Sequence, residues 1–148
     1  MPLVSKTVEV NAEESVILGI VKDFEAYPQW NDEIKGCWVL HRYDDGRPSQ
    51  LRLDTVVQGN EGTYIQAVYY PQPNQIQTVM QQGDHFSKQE QIFSVVGMGP
   101  VSLLTVDMDV EVDLAVPVPA LMVKKVVNEA LDHLAGNLKV RAEQLAQQ

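Results

Sequence analysis

Apolar and polar residues alternate along much of the chain, and the alternation is clearest in residues 101–114. Every second residue from Leu104 to Leu114 is apolar, and the residues between them are Thr, Asp or Glu. A period of two places the apolar side chains on one face of a strand. This pattern predicts a half-buried antiparallel strand, apolar toward the core and acidic toward solvent.

Six further segments have the composition of strands, and turn-forming residues separate most of them. Turn sequences such as DDGRP at 44–48 and GMGP at 97–100 recur at intervals of roughly ten residues, which favours hairpins over strand–helix–strand units. We therefore predict one antiparallel sheet of seven strands. The predicted strands are 3–10, 34–43, 49–57, 63–70, 75–81, 85–96 and 101–114.

A first helix is predicted directly after the first strand. Asn11 has the character of an N-cap, and Glu14 takes the third helical position of a capping-box-like pattern. Tyr27 precedes Pro28, so the helix should end before Tyr27. Pro28 can then open a second, one-turn helix, where its missing N–H is not needed. The apolar face of the first helix consists of Val16, Ile17, Ile20 and Phe24.

Residues 118–146 carry a second helical periodicity, after the VPVP segment at 116–119. At about 1.5 Å per residue this helix is about 40 Å long, which is enough to cross a sheet. Near its start the apolar face widens to include Leu121, Met122 and Val126. The continuous apolar stripe consists of Val123, Val127, Ala130, Leu131, Leu134, Leu138, Ala142 and Leu145.

The predicted order of elements is a strand, two short helices, six strands and a long helix, which is an α+β layered design. An antiparallel sheet of this size is strongly twisted and curls. A straight helix laid across a curled sheet contacts it closely at few places. We therefore predict a gap between sheet and helix that holds side chains, water or a ligand.

The charge balance argues against two classes of partner. The chain has 148 residues, with 11 Lys plus Arg against 20 Asp plus Glu and a net charge of −9. Such a surface repels phosphate backbones and anionic membranes, so we expect no nucleic-acid partner. The longest nearly apolar run, 114–123, contains two prolines and is too short to span a bilayer, so we expect no integral membrane association.

Length and composition fit one globular domain over residues 1–148, with 45% hydrophobic residues. The N-terminal segment lacks the pattern of a signal peptide. Because Cys37 is the single cysteine, no internal disulfide can form. A cytoplasmic protein is the expectation, and the sequence leaves the oligomeric state open.

One short motif, together with the order of elements, resembles a known superfamily. Tyr27, Pro28, Trp30 and Asn31 match its pattern of an aromatic residue, Pro, any residue, Trp and Asn. The chain resembles the START-like, or SRPBCC, superfamily, and within it the polyketide cyclase/dehydrase and coenzyme Q-binding type. This resemblance implies a helix-grip fold, in which a seven-stranded antiparallel sheet and a long C-terminal helix enclose a hydrophobic cavity. It also implies binding of lipids, polyketides, isoprenoid quinones or hormones, with cyclase activity in some members.

No residue pattern in the chain specifies catalysis, a metal or a cofactor. The histidines are His41, His85 and His133. His85 and His133 each follow an aspartate, but neighbouring residues point apart on a strand or helix. No spacing typical of a zinc site occurs, and the acidic face of the last strand is interpreted as a solvated sheet face. Cys37 is interpreted as a small buried hydrophobe. We therefore predict no catalytic residue, no metal and no cofactor.

We predict that the gap binds a hydrophobic small molecule such as a lipid, an isoprenoid or a polyketide-like compound. Each Å² of apolar ligand surface that is removed from water there contributes roughly 25 cal/mol to the free energy of binding. Tyr64 and Tyr70 share one face of their strand and Tyr69 takes the other, and a cavity tyrosine can bond a ligand carbonyl. The predicted ligand-binding residues are Phe24, Trp30, Leu53, Tyr69, Phe93, Met108, Val110, Met122, Val126 and Leu134.

Two alternatives stay open at the level of the sequence. The first is an aromatase/cyclase or dehydrase acting on a polyketide-like substrate, which needs a His, Asp, Glu, Arg or Tyr that points into the cavity. The second is a protein-interaction module. In that case side chains should fill the gap, and an apolar patch should be exposed elsewhere on the surface.

Overall fold

The computed structural model of the chain describes residues 3–57, 59–84, 86–112 and 119–147. In these ranges the elements follow each other in the predicted order. His85, Asp113 and most of the VPVP segment lie outside the described residues. The strands are β1 (Leu3–Val10), β2 (Ile34–Arg42), β3 (Pro48–Val57), β4 (Asn60–Tyr69), β5 (Gln75–Gly83), β6 (Phe86–Gly97) and β7 (Ser102–Val112), and the helices are α1 (Glu14–Lys22), a 3₁₀ helix (Phe24–Gln29) and α2 (Ala120–Ala146).

The strands form one antiparallel sheet of seven, in the order β1-β7-β6-β5-β4-β3-β2. Strands β2 to β7 each lie beside their neighbours in sequence, and β1 adds to the far edge by pairing with β7. The register places Phe93 of β6 opposite Val106 of β7 and opposite Ile76 of β5. These buried residues lie on one face of the sheet, and we call it the inner face because it packs against the helices.

The long helix α2 packs against β1, β7 and α1. Lys6 of β1 forms an ion pair with Asp132 of α2 at 2.8 Å, and Lys139 donates a hydrogen bond to the backbone carbonyl of Glu9. These contacts align α2 with that side of the sheet. The predicted stripe is confirmed at its buried positions, which are Val123, Val127, Leu131, Leu134, Leu138 and Ala142.

Because α2 is apolar on one stripe only, its length does not make it a membrane helix. Neither α-helix within the described ranges carries an apolar stretch long enough to cross a membrane. The opposite side of α2 carries polar and charged residues such as Lys124, Asn128 and Glu129, which are exposed.

The start of α1 differs from the prediction. The N-cap is Glu13, without a side-chain cap, and the helix begins at Glu14. Asn11 instead donates its backbone N–H to the carboxylate of Glu143 in α2, at 2.8 Å. The helix therefore begins after the position that the capping-box-like pattern predicts, and Asn11 instead contacts the C-terminal helix through its backbone N–H.

The corner after α1 also differs from the prediction. The predicted one-turn helix that starts at Pro28 is wrong, because Pro28 lies inside a 3₁₀ helix that already begins at Phe24. The rings of Phe24, Tyr27 and Trp30 pack in sequence, with centroids 5.5 Å and 5.0 Å apart. Burial of these rings favours a tight helix that continues through the proline.

Candidate functional site

The inner face of the sheet is only partly covered. Leu104 and Val106, on the strand next to α2, are fully buried. Farther across the sheet, Met80 of β5 and Phe86 and Gln89 of β6 are only half-buried, although they lie on the same face. Accessible surface therefore remains on the inner face at the end where β5 ends and β6 begins.

A groove of about 360 Å³ opens at the same end of the sheet. It lies between α2, the turn that joins β3 to β4, and the segment that joins the 3₁₀ helix to β2. Its wall combines apolar side chains with three carboxylates and one imidazole. The residues that line it are Asp32, Glu33, Val56, Gly59, Val126, Glu129, Ala130 and His133.

One side of the groove is held by an ion pair between His133 of α2 and Asp32. The Nε2 atom of His133 lies 2.5 Å from a carboxylate oxygen of Asp32. The hydrogen bond to Asp32 raises the pKa of His133 above its usual value, and the same bond lowers the pKa of Asp32. Burial raises the pKa of the neighbouring Glu33. The groove therefore carries a charged pair beside a carboxyl group that is easier to protonate than usual.

Most of the residues predicted from the sequence to bind a ligand belong to the core or lie at its edge. Leu53, Phe93, Met108 and Val110 are buried on the inner face. Three predicted residues, Phe24, Trp30 and Leu134, belong to the surrounding core or pack against it. Val126, another of the predicted residues, lines the groove. Their contact with a ligand stays a prediction.

The indole of Trp30 has an unused donor. Its Nε1 atom is buried and has no hydrogen-bond partner among the described residues. Trp30 packs edge-on against Tyr27 at the corner of the 3₁₀ helix. The ring of Trp30 therefore packs this corner against the core.

Two predicted site residues need correction in their placement. Tyr69 is 47% exposed and lies on the outer face of the sheet, because Tyr64 and Val68 take the inner positions of β4. Met122 is 57% exposed on the first turn of α2. The apolar face of α2 is thus not widened at its start, since the buried stripe begins at Val123.

The acidic face of β7 lies on the outside of the sheet. Asp109 forms an ion pair with Lys88 of β6 at 3.0 Å, and Asp107 accepts a hydrogen bond from Ser5. No group of three or more potential metal ligands comes together among the described residues. The buried thiol of Cys37 has its pKa raised to about 12 by desolvation, so it stays protonated and is a poor nucleophile.

Sequence reasoning missed the polar residues of the site. Asp32 and His133 lie 101 positions apart, and no local pattern connects them. Gln89 and Gln91, by contrast, precede Phe93 and Val95 at alternate positions of one strand. If the period of two is extended from Phe93 and Val95 back along the strand, it places both Gln89 and Gln91 on the inner face.

A seven-stranded antiparallel sheet and a long C-terminal helix around a shared interior form the helix-grip fold of START-like proteins. The sequence profile of the family described as "Polyketide cyclase / dehydrase and lipid transport" matches residues 10–139. The chain therefore belongs to this family, and the resemblance based on Tyr27, Pro28, Trp30 and Asn31 is confirmed.

Solved structures of similar proteins agree with this assignment. A START superfamily protein from Mycobacterium smegmatis is 64% identical, with a TM-score of 0.93 over 97% of this chain and 98% of that chain. A protein from Thermus thermophilus is 17% identical, with a TM-score of 0.81 over 98% and 99% of the two chains.

The Zhui aromatase/cyclase from Streptomyces sp. R1128 is 15% identical, with a TM-score of 0.79 over 96% of this chain and 93% of that chain. At such identities the last two similarities establish the fold alone. No protein with a curated description matches the chain.

Proposed function

We propose that this protein binds and carries a hydrophobic small molecule between the inner face of the sheet and α2. The observation that carries the proposal is the partly uncovered inner face, where Met80, Phe86 and Gln89 stay accessible. Protein interiors are normally packed to the density of organic crystals. Accessible surface at this position therefore suits a ligand that completes the core, and the lipid-transport description of the family supports this proposal.

The chemistry of the lining favours an apolar ligand body. Leu53, Phe93, Met108 and Val110 present aliphatic, aromatic and thioether surface on the inner face. A ligand that buries about 200 Å² of apolar surface gains about 5 kcal/mol, before the cost of its lost freedom. Methionine side chains adapt to irregular shapes, so the gap suits a lipid, an isoprenoid or a polyketide-like compound.

The groove beside α2 is the proposed way in. Val126 and Ala130 of α2 line it together with Val56 of β3, and it lies at the end of the sheet where the inner face is accessible. A bulky side chain at position 126 should therefore obstruct the entry of a ligand while the core stays intact.

The test is uptake of the neutral fluorescent probe N-phenyl-1-naphthylamine by the Val126→Trp variant. We expect association of the probe to slow at least severalfold in stopped-flow fluorescence, with an unchanged far-ultraviolet circular dichroism spectrum. The matched control is Val140→Trp, since Val140 is exposed on the same helix and should bind the probe as the wild type does. Equal association rates of both variants would place the entry elsewhere, and no uptake by the wild type would contradict the proposed function.

Acid–base catalysis on such a ligand is a second candidate. It is favoured by the groove, where His133 and Glu33 both have raised pKa values beside Asp32. Perturbed titratable groups at a concave site are typical of acid–base catalysts. If this candidate holds, His133→Ala will abolish turnover of a poly-β-ketone substrate without loss of probe binding. Wild-type protein that leaves such a substrate unchanged would exclude it.

A further inference from the structure

Four uncharged polar side chains lie together near the centre of the inner face, and we call them the polar block. Gln91 of β6 lies opposite Thr78 of β5 on one side and opposite Met108 of β7 on the other. Gln66 of β4 lies opposite Met80 of β5, two residues from Thr78 on the same face. The members of the polar block are Gln66, Thr78, Gln89 and Gln91.

Two members of the polar block are buried and two are half-buried. Gln66 is 8% exposed and Thr78 is 7% exposed. The Oε1 atom of Gln89 is fully buried and accepts no hydrogen bond within the described part of the chain. A buried amide oxygen without a partner is costly, and natural cores avoid it unless something else satisfies it.

The surroundings of the polar block are neutral. Among the described residues, the inner positions of β3 to β7 carry no charged side chain. The nearby edge strand carries Lys6, but its ammonium group is already paired with Asp132 at 2.8 Å. A ligand carboxylate would therefore lose its hydration at this place without gaining a counter-charge, which is strongly unfavourable.

We propose that the polar block selects a neutral ligand whose apolar body carries hydroxyl or carbonyl groups. The Oε1 atom of Gln89 accepts a hydrogen bond from a ligand hydroxyl, and the side-chain amide groups of Gln66 and Gln91 donate to a ligand carbonyl oxygen. This inference rests on the proposed function, which supplies the gap, and adds the ligand class and the residues that set it. Fatty-acid anions and plain hydrocarbons are disfavoured, since the former find no counter-charge and the latter leave the Oε1 atom of Gln89 unpaired.

The test compares three probes of one shape at pH 7, namely 2-naphthol, naphthalene and 2-naphthoate. Each is titrated against wild-type protein that holds N-phenyl-1-naphthylamine, and displacement gives its affinity. A hydrogen bond to an otherwise unpaired buried group should make 2-naphthol bind roughly tenfold more tightly than naphthalene. The anion 2-naphthoate should bind more weakly than either.

The Gln89→Met variant keeps the size of the side chain and removes its amide. We expect 2-naphthol affinity to fall roughly tenfold, while naphthalene affinity stays equal or rises. A merely structural role of Gln89 would lower the affinities of both compounds together. The matched control is Gln77→Met on β5, because Gln77 lies opposite Tyr69 on the outer face and should change neither affinity.

The outcomes separate this inference from the proposed function. Equal displacement by 2-naphthol and naphthalene, no displacement by 2-naphthol, or no effect of Gln89→Met on the 2-naphthol affinity would overturn the role of the polar block while probe binding stands. Failure of the wild type to bind N-phenyl-1-naphthylamine would count against the proposed function itself. A preference for 2-naphthoate would overturn the assigned ligand class.

Discussion

Tyr27 holds the corner between α1 and the 3₁₀ helix through a single buried hydrogen bond. Its hydroxyl donates to the backbone carbonyl of Val21 at 2.5 Å, and its ring packs between Phe24 and Trp30. Burial raises the pKa of the phenol well above its usual value, so the group stays a donor at all ordinary pH values. The family motif at this corner is therefore explained by ring packing and by two hydrogen bonds, the second from the backbone N–H of Glu33 to Oδ1 of Asn31.

Removal of this hydroxyl should be measurable. Tyr27→Phe leaves the carbonyl of Val21 buried without its partner, and we expect a loss of about 1–3 kcal/mol in the free energy of unfolding. The measurement is urea denaturation of both proteins. Tyr69→Phe is the control, since Tyr69 is exposed on the outer face and should change stability by less than about 0.5 kcal/mol. Equal effects of the two substitutions would contradict the role given to Tyr27.

His133 links α2 to the segment before β2 in a way that depends on pH. Its pKa is raised above 6.5 in the folded protein, so its stabilising contribution is complete below pH 6.5 and is lost as the pH rises through the folded pKa. The pKa of Asp32 is lowered from 3.8, so its contribution is present above pH 3.8 and is lost as the pH falls further. The groups facing His133 are Asp32 and Glu33, with Glu129 also on the groove wall.

We therefore expect His133→Ala to lower the melting temperature more at pH 5.5 than at pH 9. The difference should be small, because both partners of the pair are largely exposed to solvent. Thermal denaturation at the two pH values, with wild type and variant side by side, measures it. A variant that is equally destabilised at both pH values, or more so at pH 9, would contradict a charged pair at this position.

At the scale of elements, α2 is stabilised by one buried stripe. Leu138 is completely buried against the sheet, whereas Val140, two residues later, is 55% exposed. The stability of α2 should therefore depend on which face a substitution touches, since helices of this kind gain most of their stability from tertiary packing.

Leu138→Ala is expected to cost about 2–5 kcal/mol in the free energy of unfolding, from lost burial and the cavity left behind. Val140→Ala, on the exposed face, should change stability by about 0.5 kcal/mol or less. Chemical denaturation of both variants compares them directly. A similar cost for both would mean that α2 does not pack on the sheet as described.

The elements themselves could be predicted largely from the sequence. Alternation and turn residues placed β1 at residues 3–10, as observed, and placed β3 within one residue. The errors lie where distant parts of the chain meet. Glu13 stands at the N-cap of α1 while the backbone N–H of Asn11 bonds Glu143, and a 3₁₀ helix continues through Pro28 where the ring of Tyr27 packs.

At the scale of the whole molecule, the fold and family could be predicted but the polar part of the site could not. Apolar residues such as Phe93 and Met108 reveal their face by a period of two. The ion pair between Asp32 and His133 depends on how α2 crosses the sheet, which no local pattern records. Gln89 and Gln91 of the polar block follow the alternation of β6, but a rule that assigns polar residues to the surface predicts the outer face for them.

The inner face of the sheet is densely covered on one side and only half-covered on the other. Leu104 and Val106 complete a dense core beside α2, while Met80 and Phe86 across the sheet remain accessible. A ligand that binds the folded protein alone stabilises it by mass action. The melting temperature should therefore rise with the concentration of a bound neutral probe such as 2-naphthol and should not respond to 2-naphthoate at the same concentration.

The central claim is that the space between sheet and α2 holds a hydrophobic small molecule. Native mass spectrometry of the purified protein tests it most directly, combined with solvent extraction and analysis of the extract. We predict a mass above that of the 148-residue chain under native conditions, the bare chain mass after denaturation, and a neutral, oxygen-bearing apolar compound in the extract. A bare chain mass under native conditions, with no uptake of N-phenyl-1-naphthylamine or 2-naphthol, would contradict the claim.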